Sequence, residues 1–332
     1  QRQMCIRDRP NTGGGAGGAY YNQANNLING GSGVVILRYL SPATSNIVAT
    51  GGTITRNGDY LVHTFTSSGT FTVTNDGGKA GMKVLVVAGG GGGGADVGGG
   101  GGAGGLLQYN AYVPSSGAST YSISIGAGGA GGDNIQANGY NGSNSVFDLI
   151  TSIGGGGGAG LIGTTNAGVS GGSGGGGVGF IYGGAGGSGT YLQGNNGGVG
   201  TAAYGTATTG GGGGGAGSVG ANSSNGGSTY ANGGSGLASS ISGVSVTYCA
   251  GGKGSGDAWT GMQDGAANTG NGGDAAGAPN FGKAGGSGIV IISYYSPSIP
   301  TPYLVATGGT ITRDGDYLIH TFTSSDNFTV SY

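Results

Sequence analysis

Between Met82 and Gly105 the sequence reads MKVLVVAGGGGGGADVGGGGGAGG: a short apolar run, then seventeen residues that are nearly all glycine. Glycine has no side chain to bury and loses the most backbone freedom on ordering, so no ordinary hydrophobic core can be built from it. Two states remain open. One is a flexible tract; the other is a bundle of polyglycine II helices, threefold extended helices that pack side by side and bond through their own N–H and C=O groups. Collagen illustrates the packing rule, since only glycine fits at its crowded axis. A helix enclosed on all sides needs glycine throughout, whereas a peripheral one needs it only on inward faces. The run 89–105 is therefore expected at the centre. Similar runs recur at 126–132, 154–160, 171–177, 183–189, 194–200, 210–217, 251–256, 270–277 and 282–288, enough to build such a bundle.

Composition favours the ordered state. Glycine supplies 92 of 332 residues and charged residues only 7%, with no glutamate anywhere, so helix is nearly excluded. Disordered chains are usually highly charged and poor in aromatic residues, while this one carries 18 tyrosines and repeated apolar runs. The net charge of −2 leaves no basic footprint for nucleic acid. The longest apolar runs, IVII and VLVVA, are strand-sized and too short to span a membrane. Cys5 and Cys249 are the only cysteines and do not form a disulfide framework. The opening QRQMCIRDR resembles a translated sequencing-adaptor scar, so residues 1–10 are set aside and the natural chain is expected to continue upstream.

The rest is organised by an internal repeat. VATGGTITRNGDYLVHTFTSSGTFTV at 48–73 returns as VATGGTITRDGDYLIHTFTSSDNFTV at 305–330, and GGSGVVILRY before it returns as GGSGIVIISY at 285–294. Five segments follow: the artefact at 1–10, the end of a preceding glycine-rich copy at 11–40, a small β-meander at 41–75, a glycine-rich domain at 76–295, and the start of the next meander at 296–332. Within the meander, TITR and DYLVHTFT are expected to form a hairpin through a type I′ turn at Asn57-Gly58, with TFTVT as a third strand. Leu61, His63 and Phe65 alternate and should share an inward face. Further strands are expected at 84–88, 106–113, 120–125, 146–153, 245–250 and 289–295. Several run straight into glycine, which predicts strands whose ends continue as polyglycine helices. The fold class expected is thus mainly β with polyglycine II helices and almost no α-helix.

Several motifs suggest chemistry and lack its context. Gly89, Gly91 and Gly94 follow a strand in a GxGxxG pattern, yet more glycine stands where the motif needs a helix and an acidic residue. GAPNFGKA at 277–284 places Ala284 where a phosphate loop needs Ser or Thr. Ser173 lies in a GxSxG pattern without the flanking strand, helix and histidine of a nucleophile elbow. His63 and His320 are equivalent positions of the meander and read as structural. GGAGGDNIQ around Asp133 matches one nonapeptide of a calcium roll, but its neighbours do not repeat it. The remaining aspartates are scattered singly and read as solvated surface. No catalytic, cofactor-binding or metal-ligating residue is expected, and no enzyme activity.

Beyond residue 178 the segments between glycine tracts carry aromatic residues amid Asn, Ser, Thr and Gly, a paratope-like composition. Tyr182, Tyr191, Tyr204, Tyr230 and Trp259 are accordingly the candidate receptor-binding residues, each expected between tracts rather than inside a strand. The bland alternative is that these aromatics merely cap the bundle ends.

The motif order HTFTSSGTFTV, VLVVAGGGGGG, YSISIGAGGAGG, NGSNSVF, ASSISGVSVTYCAGG and GGSGIVIISY resembles the glycine-rich domain family of phage tail fibres and adhesins, over residues 49–295. In construction it is similar to the polyglycine II adhesins at the tips of long tail fibres. The sequence departs from the usual pure glycine at Cys249, Lys253 and Asp257. The resemblance implies a non-enzymatic virion or cell-surface fibre module that recognises a bacterial surface receptor, an outer-membrane protein or a glycan. Other fibre subunits are possible partners, and neither nucleic acid nor membrane insertion is implied. The alternative is a purely structural spacer repeat of a long extracellular fibre.

A far-ultraviolet circular dichroism spectrum is expected to show less than about one tenth α-helix, far below the ordinary share of globular proteins; strong helical bands would contradict the reading.

Overall fold

The computed structural model describes residues 34–40, 47–76, 81–113, 119–133, 137–161, 166–179, 183–201, 209–224, 230–256, 261–277, 280–296, 305–314 and 317–331. They contain no helix. In chain order the strands are β1 (Val35–Leu40), β2 (Ile47–Thr50), β3 (Thr53–Asn57), β4 (Tyr60–Phe65), β5 (Gly69–Asp76), β6 (Met82–Val87), β7 (Leu106–Tyr112), β8 (Ser119–Ser124), β9 (Ser145–Phe147) and β10 (Ile150–Ser152). They continue with β11 (Tyr230–Ala231), β12 (Leu237–Ser239), β13 (Val246–Tyr248), β14 (Gly254–Ser255), β15 (Ile289–Tyr295), β16 (Val305–Thr307), β17 (Thr310–Asp314), β18 (Tyr317–Phe322) and β19 (Thr329–Ser331). Two compact units arise: Ser45–Pro297, and a second built from Gln1–Thr44 with Ser298–Tyr332.

The larger unit is framed by two antiparallel five-stranded sheets, ordered β10-β9-β8-β5-β2 and β3-β4-β15-β6-β7. Alternating residues explain how they face each other. Phe71, Val73, Tyr121, Ile123 and Phe147 of the first sheet pack on Phe65, Val84, Val86, Val290 and Ile292 of the second. Leu61, His63 and Phe65 do turn toward this core, as alternation requires. The intervening residues of the second sheet are buried too. Val62, Leu85, Val87, Ile289 and Ile291 pack against Ala103, Ile241, Tyr248 and Cys249. A sheet covered on both faces needs near-continuous apolar strands, which is why VLVV and IVII are not alternating.

Three details of the strands depart from the sequence reading. The β3–β4 hairpin pairs Asn57 with Tyr60, so Gly58 and Asp59 are the central turn residues and only Gly58 has positive φ, at 55°. That is the type II′ pattern with glycine first, not type I′ at Asn57-Gly58; in the second copy the central pair, 315–316, lies outside the described residues. The expected three-stranded meander is divided, because β5 leaves the hairpin and pairs with β2 and β8 in the opposite sheet. Phe71 thereby reaches the core from across the sandwich. Finally, 146–153 is two strands: Phe147 pairs with Ile150 around Asp148-Leu149, with Asp148 at φ 51°. Aspartate is among the few non-glycine residues that tolerate this region, so the turn carries no Gly or Pro signal.

Beyond the sheets the glycine runs bond to one another through the main chain, with a three-residue period. Along 89–94, Gly89 and Gly92 donate to Ser143 and Tyr140, Gly90 and Gly93 to Gly286 and Lys283, and Gly91 and Gly94 to Gly102 and Gly99. The carbonyls of the same residues accept from Gly155 and Gly158, from Gly129 and Gly132, and from Gly273 and Ala276. This tract is therefore enclosed by six others, all reached by N···O distances of 2.8–3.1 Å. The run 89–105 does not continue as one central helix, however. It reverses at Asp96 and Val97, with φ of 52° and 55°, and 99–105 returns against 88–94. Both halves are buried throughout.

Close approach makes glycine obligatory here. A Cβ on Gly92 would lie 1.9 Å from the carbonyl oxygen of Ala130, and one on Gly101 would lie 2.1 Å from that of Gly91. At Gly69 and Gly81 the nearest atoms would be 3.9 and 3.5 Å away, ordinary contact. Gly92→Ala and Gly101→Ala are thus expected to lower the melting temperature of the 45–297 unit severely or abolish its folding. Gly69→Ala and Gly81→Ala should shift it by no more than a few degrees, since exposed substitutions usually stay within about 0.5 kcal/mol. Equal melting temperatures across the four variants would refute the packing argument.

Candidate recognition surface

The two histidines and the GxGxxG glycines singled out in the sequence make structural contacts. His63 is fully buried, with Nδ1–H donating to the carbonyl of Gly51 at 2.8 Å, which leaves Nε2 to accept from the Tyr294 hydroxyl at 3.0 Å. Its ring also meets Phe71 edge-on. Burial pushes its pKa below the usual 6.5, opposed by the bond to Gly51. His320 repeats the arrangement, donating to Gly308 at 2.7 Å and meeting Phe328. Ser173 is buried, and its Oγ is unpartnered within a glycine tract. The N–H groups of Gly89, Gly91 and Gly94 are all used within the bundle. Burial also raises the Cys249 thiol above its ordinary range, keeping it protonated.

Polar side chains finish the bundle's hydrogen bonding, among them Asp264 and Asp274, which the sequence reading placed on a solvated surface. At the perimeter, where no further tract supplies a carbonyl, Asn138, Asn141 and Asn144 accept from the N–H groups of Gly160, Gly157 and Gly154. The three-residue spacing of NGYNGSN matches the period of the tract it faces. Asp274 is buried and accepts from Lys253 N at 2.8 Å and Gln263 N at 3.0 Å, while Asp264 accepts from Ala284 N. Desolvation raises the Asp274 pKa, and these two backbone donors oppose it. A period-three Asn signal was present in the sequence and could have identified this perimeter.

Exposed apolar and aromatic side chains are spread over the described surface, Leu149 at 92% among them. Tyr191 is 86% exposed and Leu192 75% exposed, at the tip of a tight turn. The turn is held from beneath. Gln193 Oε1 accepts from Ile153 N at 2.8 Å, Thr190 Oγ1 donates to Gly171 O at 2.8 Å, and Gln193 N bonds back to Thr190 O. Leu192 has φ of 62°, a conformation that costs a side-chain-bearing residue about 1–2 kcal/mol. Beside the tip lies a groove of about 310 Å³ lined by Leu106, Gln193, Asn195, Ala216 and Leu237. Leu192 carried no aromatic or glycine signal, and sequence reading missed it.

Tyr230 lies elsewhere on the surface. It belongs to the short strand β11, paired with Ser255 of β14, rather than to a loop between tracts. Its ring is stacked by Lys253, with Nζ 4.9 Å from the centroid. The Lys253 stem borders a second groove with Asn232, Ser235, Gln263, Asp264 and Asp274. Tyr191 lines the first of these two grooves and not the second. Tyr182, Tyr204 and Trp259 lie outside the described residues. Among the described residues, no group of three or more His, Cys, Asp or Glu is placed to hold a metal ion.

Residues 66–295 match the glycine-rich domain as a protein family. The chain belongs to the glycine-rich domain family. In this member, the matched span starts in the segment joining β4 to β5 and ends with β15, so it takes in the whole bundle and most of both sheets. No curated protein matches the chain.

Because the folded state holds His63 neutral, its contribution to stability is fully present above about pH 6.5 and declines as the pH falls below that value, where the unfolded imidazole takes up protons first. The melting temperature of the 45–297 unit is expected to fall between pH 7 and pH 5, above the range of ordinary carboxylates. His63→Gln should flatten that slope even if it lowers stability overall, and a slope unchanged by the substitution would remove His63 as its source.

Proposed function

We propose that this glycine-rich domain is a non-enzymatic recognition module of an extracellular fibre, carried on a virion or a cell surface, which binds a bacterial surface protein or glycan. In this reading the tracts are polyglycine II helices, and their role is to form a stiff platform held by main-chain bonds. The three-residue period and sixfold enclosure of 89–94 support that assignment.

The observation that carries the functional reading is the Tyr191–Leu192 tip. A large aromatic and a large aliphatic side chain stand in solvent on a turn fixed by Gln193 and Thr190, and the leucine is kept in a backbone conformation that glycine would adopt at lower cost. Strain retained at an exposed, rigid position points toward function rather than stability. Rigid aromatic anchors suit recognition because they bring contact area at little conformational cost. The stacked Tyr230–Lys253 pair beside its polar groove is a second, more hydrophilic surface of the kind a glycan would use.

One observation favours the spacer alternative. The hairpin and its closing strand recur in the same chain with the same pairing, as expected of tandem elements that extend a shaft.

Adsorption of the purified chain to candidate bacterial hosts separates the two. Tyr191→Ala and Leu192→Gly are expected to reduce adsorption at least about tenfold, the scale of a binding anchor, with Leu192→Gly leaving the melting temperature nearly unchanged. Undiminished adsorption by both variants, or no adsorption by the unaltered chain, would favour the spacer.

A further inference from the structure

The smaller unit is assembled from elements of two different copies of the repeat. β1, in GSGVVILRYLSP, is the counterpart of β15, in GSGIVIISYYSP, and β17–β18 are counterparts of β3–β4. Within the larger unit β15 pairs with β4 as Val290↔Phe65, Ile292↔His63 and Tyr294↔Leu61. β1 pairs with β18 as Val35↔Phe322, Leu37↔His320 and Tyr39↔Leu318, the same register residue for residue. The surroundings are reproduced as well. His320 and Phe328 lie 5.2 Å apart against 5.1 Å for His63 and Phe71, and Gly308 has φ of 114° against 116° for Gly51. A closing strand from one copy therefore completes the hairpin of another, although a whole copy separates them in sequence.

We infer that the closing strand is a transferable donor strand, and that β1 of one chain docks onto the β17–β18 hairpin of a second copy of this chain, joining the two. Strand addition of this kind draws affinity from main-chain bonds and specificity from alternate side chains, and here the register is already specified by both occurrences. Exchanging an identical element between protomers needs no new interface, and a heterologous contact propagates into rings or filaments. Intramolecular closure competes at an effective concentration in about the millimolar range, so exchange is expected when chains fold or crowd together. Among the described residues no strand pairs with the far side of β1, where β15 has β6, and Val35 and Ile36 are 58% and 61% exposed.

Disulfide trapping tests the inference in the 332-residue chain, with Cys5→Ser and Cys249→Ser removing its two native cysteines. Ile36 and Thr321 face each other across the pairing, and opposed Cα atoms in antiparallel strands lie within disulfide reach. A chain carrying Ile36→Cys and Thr321→Cys together should oxidise within itself in dilute solution. Chains carrying one substitution each, unfolded together and refolded at high concentration, should give the mixed 36–321 disulfide about tenfold over either symmetric one. Failure of the double variant to close, or mixed and symmetric disulfides in random proportion, overturns the inference. Arg38→Cys with Ile319→Cys is a second in-register pair, and the melting transition of the 45–297 unit reports that the chains have refolded. Agreement of the two pairs separates strand exchange from a local effect of either substitution.

Discussion

The structure depends on main-chain hydrogen bonds made at a distance that excludes side chains. In an ordinary sheet a strand bonds to two neighbours and keeps its Cβ atoms on the faces; along 89–94 successive residues bond in different directions around the axis, leaving no face free. Each such bond is worth about 1 kcal/mol net, while ordering a backbone residue costs about 1–2 kcal/mol, with glycine at the expensive end. The bonds alone do not make an isolated tract stable. They become favourable collectively, when every donor and acceptor is met and the ends of the tracts are already held.

The sandwich holds those ends. β6, β8, β10 and β13 each pass directly into a glycine tract, so their register fixes where the tract begins. The sheet carrying β6 and β15 is buried on both faces, by the opposite sheet on one side and by Ala103, Ile241, Tyr248 and Cys249 on the other. Apolar burial, at about 25 cal/mol per Å², thus supplies cooperative stability at the point where side chains stop. β15 sits in the middle of its sheet between β4 and β6, which joins the last strand of the copy to its first hairpin. The same closure, made between different copies, builds the smaller unit.

The perimeter follows from the same constraint. A tract at the edge has N–H groups with no neighbouring carbonyl, and Asn138, Asn141, Asn144, Asp264 and Asp274 supply the missing acceptors. Much of the polar surface is therefore committed to the fold. Exposed side chains such as Leu149, Tyr191 and Leu192 stand outside this group of acceptors.

The sequence by itself determined the chemistry of the two layers. Its glycine runs admit no side-chain core, VLVV and IVII can only be buried strands, and the alternation of Leu61, His63 and Phe65 assigns them to one face. These are local properties, readable from periodicity and composition. Pairing is not local. That β5 crosses to the opposite sheet, that 89–105 turns back at Asp96-Val97, and that 146–153 is a hairpin about Asp148 were decided by partners far along the chain. Glycine runs are interchangeable as text, so nothing in a run names its neighbours; only the three-dimensional arrangement determines which carbonyl meets which N–H. The same holds for the surface, because the exposure of Leu192 and the confinement of Asp274 depend on whether a neighbouring tract supplies an acceptor.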